Sequence, residues 1–80
     1  MKIPRDINGL ELSKYLSKLG YVITRQTGSH IRLTTQENGE HHITIPHHNP
    51  IRIGTLSAIL NDISKHFDLT KTELSDKLFS

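Results

Sequence analysis

The sequence predicts an α+β domain built as helix, three-stranded antiparallel meander, helix and short terminal helix. Three observations carry this. Apolar residues recur at helical spacing near both ends of the chain. Between them, residues 21–46 are rich in β-branched side chains and alternate apolar with polar. Two turn signals, Gly28-Ser29 and Asn38-Gly39, divide that middle segment into three strands.

The first helix spans residues 8–19. Asn8 is a favourable N-cap, and Glu11 three places on completes a capping box. Leu12, Tyr15, Leu16 and Leu19 form its apolar stripe, with Glu11, Ser13, Lys14, Ser17 and Lys18 on the other side. Gly20 stands where a helix end takes a left-handed residue. Tyr21–Thr27 reads as a strand of ambiguous face, because Tyr21/Ile23 and Val22/Thr24 are similarly apolar. Gly28-Ser29 is its turn, and the glycine is read as what the turn requires. The second strand is His30–Thr35 and the third is His41–Pro46, joined by a hairpin loop over 36–40. After a loop at residues 47–50, Ile53 to about His66 forms the strongest helical pattern, with Ile53, Leu56, Ile59, Leu60 and Ile63 in one stripe. Thr70 and Glu73 make a second capping box, with Leu69 and Leu74 as its hydrophobic staple, opening a short helix to about Leu78. No repeat, linker or low-complexity stretch interrupts residues 1–80, which read as a single domain.

Each long helix needs a surface on which to bury its stripe. The meander offers one at Ile31, Leu33, Ile43 and Ile45, so both helices are expected there. His30, Arg32, His42 and Thr44 are then left on an open face. This α-β-β-β-α order is that of a double-stranded-RNA-binding-like fold.

Eighty residues leave no room for a large enclosed site, so a substrate is expected to lie across an exposed face. The absence of cysteine excludes disulfides and thiolate zinc sites. No apolar run reaches membrane-spanning length, and MKIPRDINGL lacks the apolar core of a signal peptide. A soluble, cytoplasmic protein is expected. The formal charge of +2 is too small to name a polyanionic partner. Its distribution says more: between residues 25 and 52 lie Arg25, Arg32 and every histidine except His66, against only Glu37 and Glu40.

Six histidines invite three readings. His66, at a helix end, is accounted for by the helix dipole, and His41 by a strand surface. A metal site built on His41-His42 and His47-His48 is weakened because adjacent strand residues point to opposite faces. No metal is expected. His30 can be a solvated strand residue or a general acid or base, taking a proton from a ribose 2′-hydroxyl or giving one to the leaving 5′-oxygen. Arg25 and Arg32 could then hold the phosphate. The spacing alone leaves both readings open.

Two blocks carry a family likeness. LELSKYLSKLGYVITRQTGSHIRL has a leucine-rich helix, a Leu-Gly-aromatic step, an arginine-bearing strand and Gly-Ser-His. ITIPHHNPIRIGTLSAIL has a strand ending in Pro-x-His, then Gly-Thr-Leu and a helix. Together they cover residues 8 to about 65, and the sequence resembles the HicA (YcfA-like) toxins of type II toxin–antitoxin systems. The resemblance implies a metal-independent endoribonuclease acting on mRNA without a cofactor. It implies His30 as the catalytic histidine and a HicB-like antitoxin that covers it, with DNA reached only through the antitoxin. Ser29 of the motif and His48 of Pro46-His47-His48 become RNA-contact candidates beside Arg25 and Arg32, with Lys14 and Lys18 as weaker ones. Gly54 is assigned to close packing or the start of the second helix. Ile31-Arg32-Leu33 departs from the histidine and aromatic that follow the motif in many members, and the tail from His66 is longer than in the shortest. That tail is read as a packing helix or part of the antitoxin contact. Two rival readings stand beside the toxin: a non-catalytic RNA-binding module, and a pure protein-interaction domain using the sheet.

Overall fold

A computed structural model describes residues 4–79. Met1–Ile3 and Ser80, within the expected single-domain span, lie outside the described residues. The element order is α1 (Gly9–Leu16), a 3₁₀ turn (Ser17–Leu19), β1 (Val22–Thr27), β2 (His30–Thr35), β3 (His41–Pro46), α2 (Ile53–Phe67) and α3 (Lys71–Phe79). The sheet is antiparallel in the order β1-β2-β3. This is the expected α-β-β-β-α architecture.

Local chemistry sets the element ends. Asn8 accepts from the Glu11 N–H at 2.8 Å, and Glu11 accepts from the Asn8 N–H at 3.1 Å. Thr70 and Glu73 repeat the exchange at 2.9 and 3.1 Å, which holds the Glu73 carboxyl below its ordinary range. Gly20 ends the first helical segment at φ 82°. In the β2–β3 loop the Gly39 N–H donates to the Gln36 carbonyl at 3.2 Å, and Asn38 and Gly39 both have positive φ, which Asn and Gly accommodate most readily.

Both long helices cover one face of the sheet. Leu12, Leu16, Ile31, Leu33, Ile45, Leu56, Leu60 and Ile63 are almost wholly buried between them. Each such side chain stabilises the fold by about 1.5–3 kcal/mol relative to exposure. Leu74 and Leu78 place α3 in the same core, so the tail forms a packing helix. Ile7 and Ile51 join it from outside the helices, tied together by the Ile51 N–H to the Ile7 carbonyl at 2.8 Å. Neither shows in the periodic pattern.

One ambiguity in the sequence is resolved and two readings are corrected. The face of β1 is decided by a bulge: Ile23 pairs Leu33 toward the helices, Arg25 already pairs Arg32 on the open face, and Thr24 is the extra residue. His41 is not a plain surface residue. It pairs Thr35 on the helix side, meets the Tyr21 hydroxyl at 2.6 Å and stacks on His66 with ring centroids 4.4 Å apart. His66 does more than complement a dipole, since its Nε2 lies 3.0 and 3.1 Å from the carbonyls of Glu37 and Gly39 and so ties the β2–β3 loop to α2. Burial beside Asp62 pushes the Tyr21 phenol well above its ordinary value.

Candidate functional site

The open face of the sheet follows from the register. Thr27 pairs His30, Arg25 pairs Arg32, Thr44 pairs Arg32 from the other side, and His42 pairs Thr34. Paired residues share a face, so β2 carries His30, Arg32 and Thr34 along its solvent side. His30, Arg25 and Arg32 are all exposed. Together with Thr27 and Thr44 they line one shallow depression of about 220 Å³. A second depression of about 410 Å³ adjoins it, sharing Arg25 and Arg32 and adding Thr24, Thr34, Gln36, Glu40 and His42.

The turn before β2 positions the histidine. Ser29 Oγ lies 3.1 Å from His30 Nδ1. The Ser29 carbonyl accepts the His47 N–H at 2.9 Å, so the loop after β3 holds that turn. The His48 carbonyl accepts from Gly9 at 3.3 Å, joining the same loop to the start of α1. Gly9 fits this junction because a Cβ there would stand 2.7 Å from the Pro46 carbonyl oxygen. His48 is exposed but is not among the residues lining the His30 depression.

Electrostatically the site is unbalanced. Arg25 and Arg32 stand directly opposite one another, an arrangement that destabilises a sheet by about 0.2–1 kcal/mol. Among the described residues neither is in an ion pair, the two pairs formed being His41–Asp62 and His42–Glu40, each at 3.5 Å. A phosphate between the guanidiniums would remove the repulsion.

Lys14 on α1 and Lys18 on the 3₁₀ turn stand apart, in the helix layer. Lys18 Nζ donates to the Leu78 carbonyl at 2.8 Å and lies over the Tyr15 ring. His41 and His42 occupy opposite faces, as their adjacency in a strand dictates. The polar chain Thr24–Thr34–His42 has no counterpart in the sequence reading: Thr34 Oγ1 lies 3.4 Å from Thr24 Oγ1 and 2.7 Å from His42 Nδ1. Strand alternation placed His42 on this face, but the ambiguous face of β1 left Thr24 unassigned.

The family model for the HicA toxin of bacterial toxin–antitoxin systems matches residues 9–64. The chain belongs to the HicA toxin family. Among curated proteins and solved structures, none matches it. The matched span runs from the first residue of α1 to near the end of α2, and so includes the whole sheet and the Ser29–His30 turn. HicA membership makes the chain a toxin of a two-component system, with an antitoxin as its counterpart.

Proposed function

We propose that this HicA toxin is a metal-independent endoribonuclease that cleaves mRNA on its open sheet face, with His30 as the proton-transfer residue. The observation that carries this is the depression shared by His30, Arg25 and Arg32, with Ser29 against His30 Nδ1. Ser29 occupies Nδ1 and fixes the ring, so proton exchange with RNA falls to Nε2. The 2′-oxygen attacks the adjacent phosphorus, the P–O5′ bond breaks, and the 2′-hydroxyl proton and the proton gained by the 5′-oxygen balance. Arg25 and Arg32 hold the phosphate and stabilise the charge that builds on its oxygens. The products are a 2′,3′-cyclic phosphate and a 5′-hydroxyl. The cytoplasm, where mRNA is found, is the site of action, and a HicB-like antitoxin blocks the reaction by covering His30. The proposed RNA path follows the sheet, with His48 at its margin, and leaves out Lys14 and Lys18.

The test is cleavage of a long mRNA by purified protein in excess EDTA, beside His30→Ala. The expected result is cleavage by the wild type to cyclic-phosphate ends and a loss of at least about 10²-fold in the variant, the scale of a missing general acid or base. Equal cleavage by both would remove His30 from the reaction. RNA binding by both without cleavage would make the chain a non-catalytic RNA-binding module.

A further inference from the structure

A second surface wraps the free edge of β1, with Ile23 on the helix side of the sheet and Val22 on the open side. α1 does not cover this edge. A groove of about 490 Å³ is left between Leu10, Ser13, Lys14 and Ser17 on the helix and Val22 and Ile23 on the strand. The four helix residues fall at i, i+3, i+4 and i+7, one stripe along α1. Leu10, Val22 and Ile23 are 42%, 60% and 45% exposed, and Ile53 is the other large hydrophobic side chain so exposed among the described residues. A concentration of exposed aliphatic groups on a small domain marks a contact surface.

The polar atoms of the groove are already engaged. Ser13 Oγ donates to the Gly9 carbonyl at 2.9 Å, and Ser17 Oγ to the Lys14 carbonyl at 2.6 Å. The Tyr21 hydroxyl is held by His41. Lys14 is the single charged residue of the lining. Such a surface has no row of cations for phosphates and no exposed aromatic ring for bases, so it suits protein and not RNA.

We propose that this groove anchors the antitoxin. The occupant is an amphipathic segment with aliphatic side chains on one face and an Asp or Glu placed to meet Lys14. Family membership supplies the requirement for a dedicated protein partner, and charge complementarity at Lys14 and the aliphatic lining supply its chemistry. The bulge between Ile23 and Arg25 interrupts the free edge of β1. This favours side-chain docking over addition of a full strand. A stable interface covers about 800 Å² per partner, more than one groove offers. The partner therefore reaches beyond the groove, and β1 leads from it to Thr27, the residue paired with His30. Anchoring at Ile23 thus brings the partner to the face that carries His30. The inference rests on the toxin reading for the partner's identity, and not on the chemistry of His30.

The experiment uses the full-length toxin and the purified antitoxin co-encoded with it. Binding is measured by calorimetry and, separately, inhibition of RNA cleavage by titration. Leu10→Asp and Ile23→Asp alter exposed side chains on two different elements, and thermal melts confirm that each folds. The expected result is at least a tenfold weaker antitoxin complex for each variant, with RNA cleavage at the wild-type rate and inhibition shifted to higher antitoxin concentration. Lys14→Glu is expected to weaken the complex as well. Wild-type affinity in folded Leu10→Asp and Ile23→Asp overturns the proposal. So does a toxin that dimerises alone through this groove, seen as a wild-type dimer that Ile23→Asp dissociates in sedimentation. A wild type that binds antitoxin but cuts no RNA would defeat the nuclease reading and leave the binding result to decide this one.

Discussion

At the scale of single residues, the glycines separate what the fold demands from what the site demands. Gly20 and Gly39 have φ of +82° and +96°, a region that favours glycine. Gly28 does not: its φ lies outside that region, and a Cβ built there meets nothing within 4 Å. The reading that the β1–β2 turn needs this glycine is therefore corrected, and Gly54, equally open, has no close packing to serve. The turn sequence revealed a turn but not its dihedral angles, so it could not tell a glycine required by the backbone from one required by clearance. Gly28 stands two residues before His30, beside the proposed RNA path. Gly28→Ala should leave the protein folded, with stability raised by up to about 0.4–1 kcal/mol because the unfolded chain loses freedom. It should also reduce RNA cleavage at least tenfold. A thermal melt and an initial-rate assay on one preparation check both arms. Unchanged cleavage would show that the glycine provides no clearance for substrate.

At the scale of elements, α1 is short and depends on its ends. It has eight residues and a 3₁₀ turn before Gly20 reverses the chain into β1. A Cβ on Gly20 would be 2.8 Å from Thr35 Oγ1 and would overlap the Glu37 carboxylate. Thr35 cannot yield freely, because its hydroxyl is buried and donates to the Leu19 carbonyl at 2.7 Å. Gly20→Ala should therefore destabilise by about 2–3 kcal/mol, combining the left-handed strain with disturbance of that bond. Gly39→Ala, at a positive φ with space around it, should show about 1–2 kcal/mol from strain alone. Urea denaturation of the two variants measures the difference, and equal losses would mean the Thr35 contact is immaterial. The helices, strands and both capping boxes were legible because their signals are local: a cap with its Glu three residues on, or alternation within six residues. The face of β1 was not, because the bulge exists only in register against β2. The His41–His66 stack was hidden for the same reason, since its partners lie far apart in sequence and meet only when α2 packs beside β3.

At the scale of the whole molecule, charge is arranged by face more than by amount. The net charge of +2 would give weak attraction to RNA if spread evenly. Instead Arg25 and Arg32 are opposed across two strands beside His30, and the eight acidic residues stand elsewhere apart from Glu40, at the far depression. His30 and Arg32 were legible from sequence as members of one face. The opposition of Arg25 to Arg32 was not, because it depends on the bulge. That opposition makes a prediction with two signs. For a single-stranded RNA, the slope of log affinity against log salt changes by about 0.7 for each phosphate that the protein ceases to neutralise. Measured in the His30→Ala background to prevent cutting, Arg25→Gln and Arg32→Gln should each reduce the slope by about 0.7 and weaken binding. Each should also raise stability by about 0.2–1 kcal/mol, because a like-charge pair directly across the sheet is relieved. A general loss of folding would lower affinity and stability together, so opposite signs identify a ligand site. An unchanged salt slope in both variants would remove the arginines from the RNA interface and leave their opposition without a function.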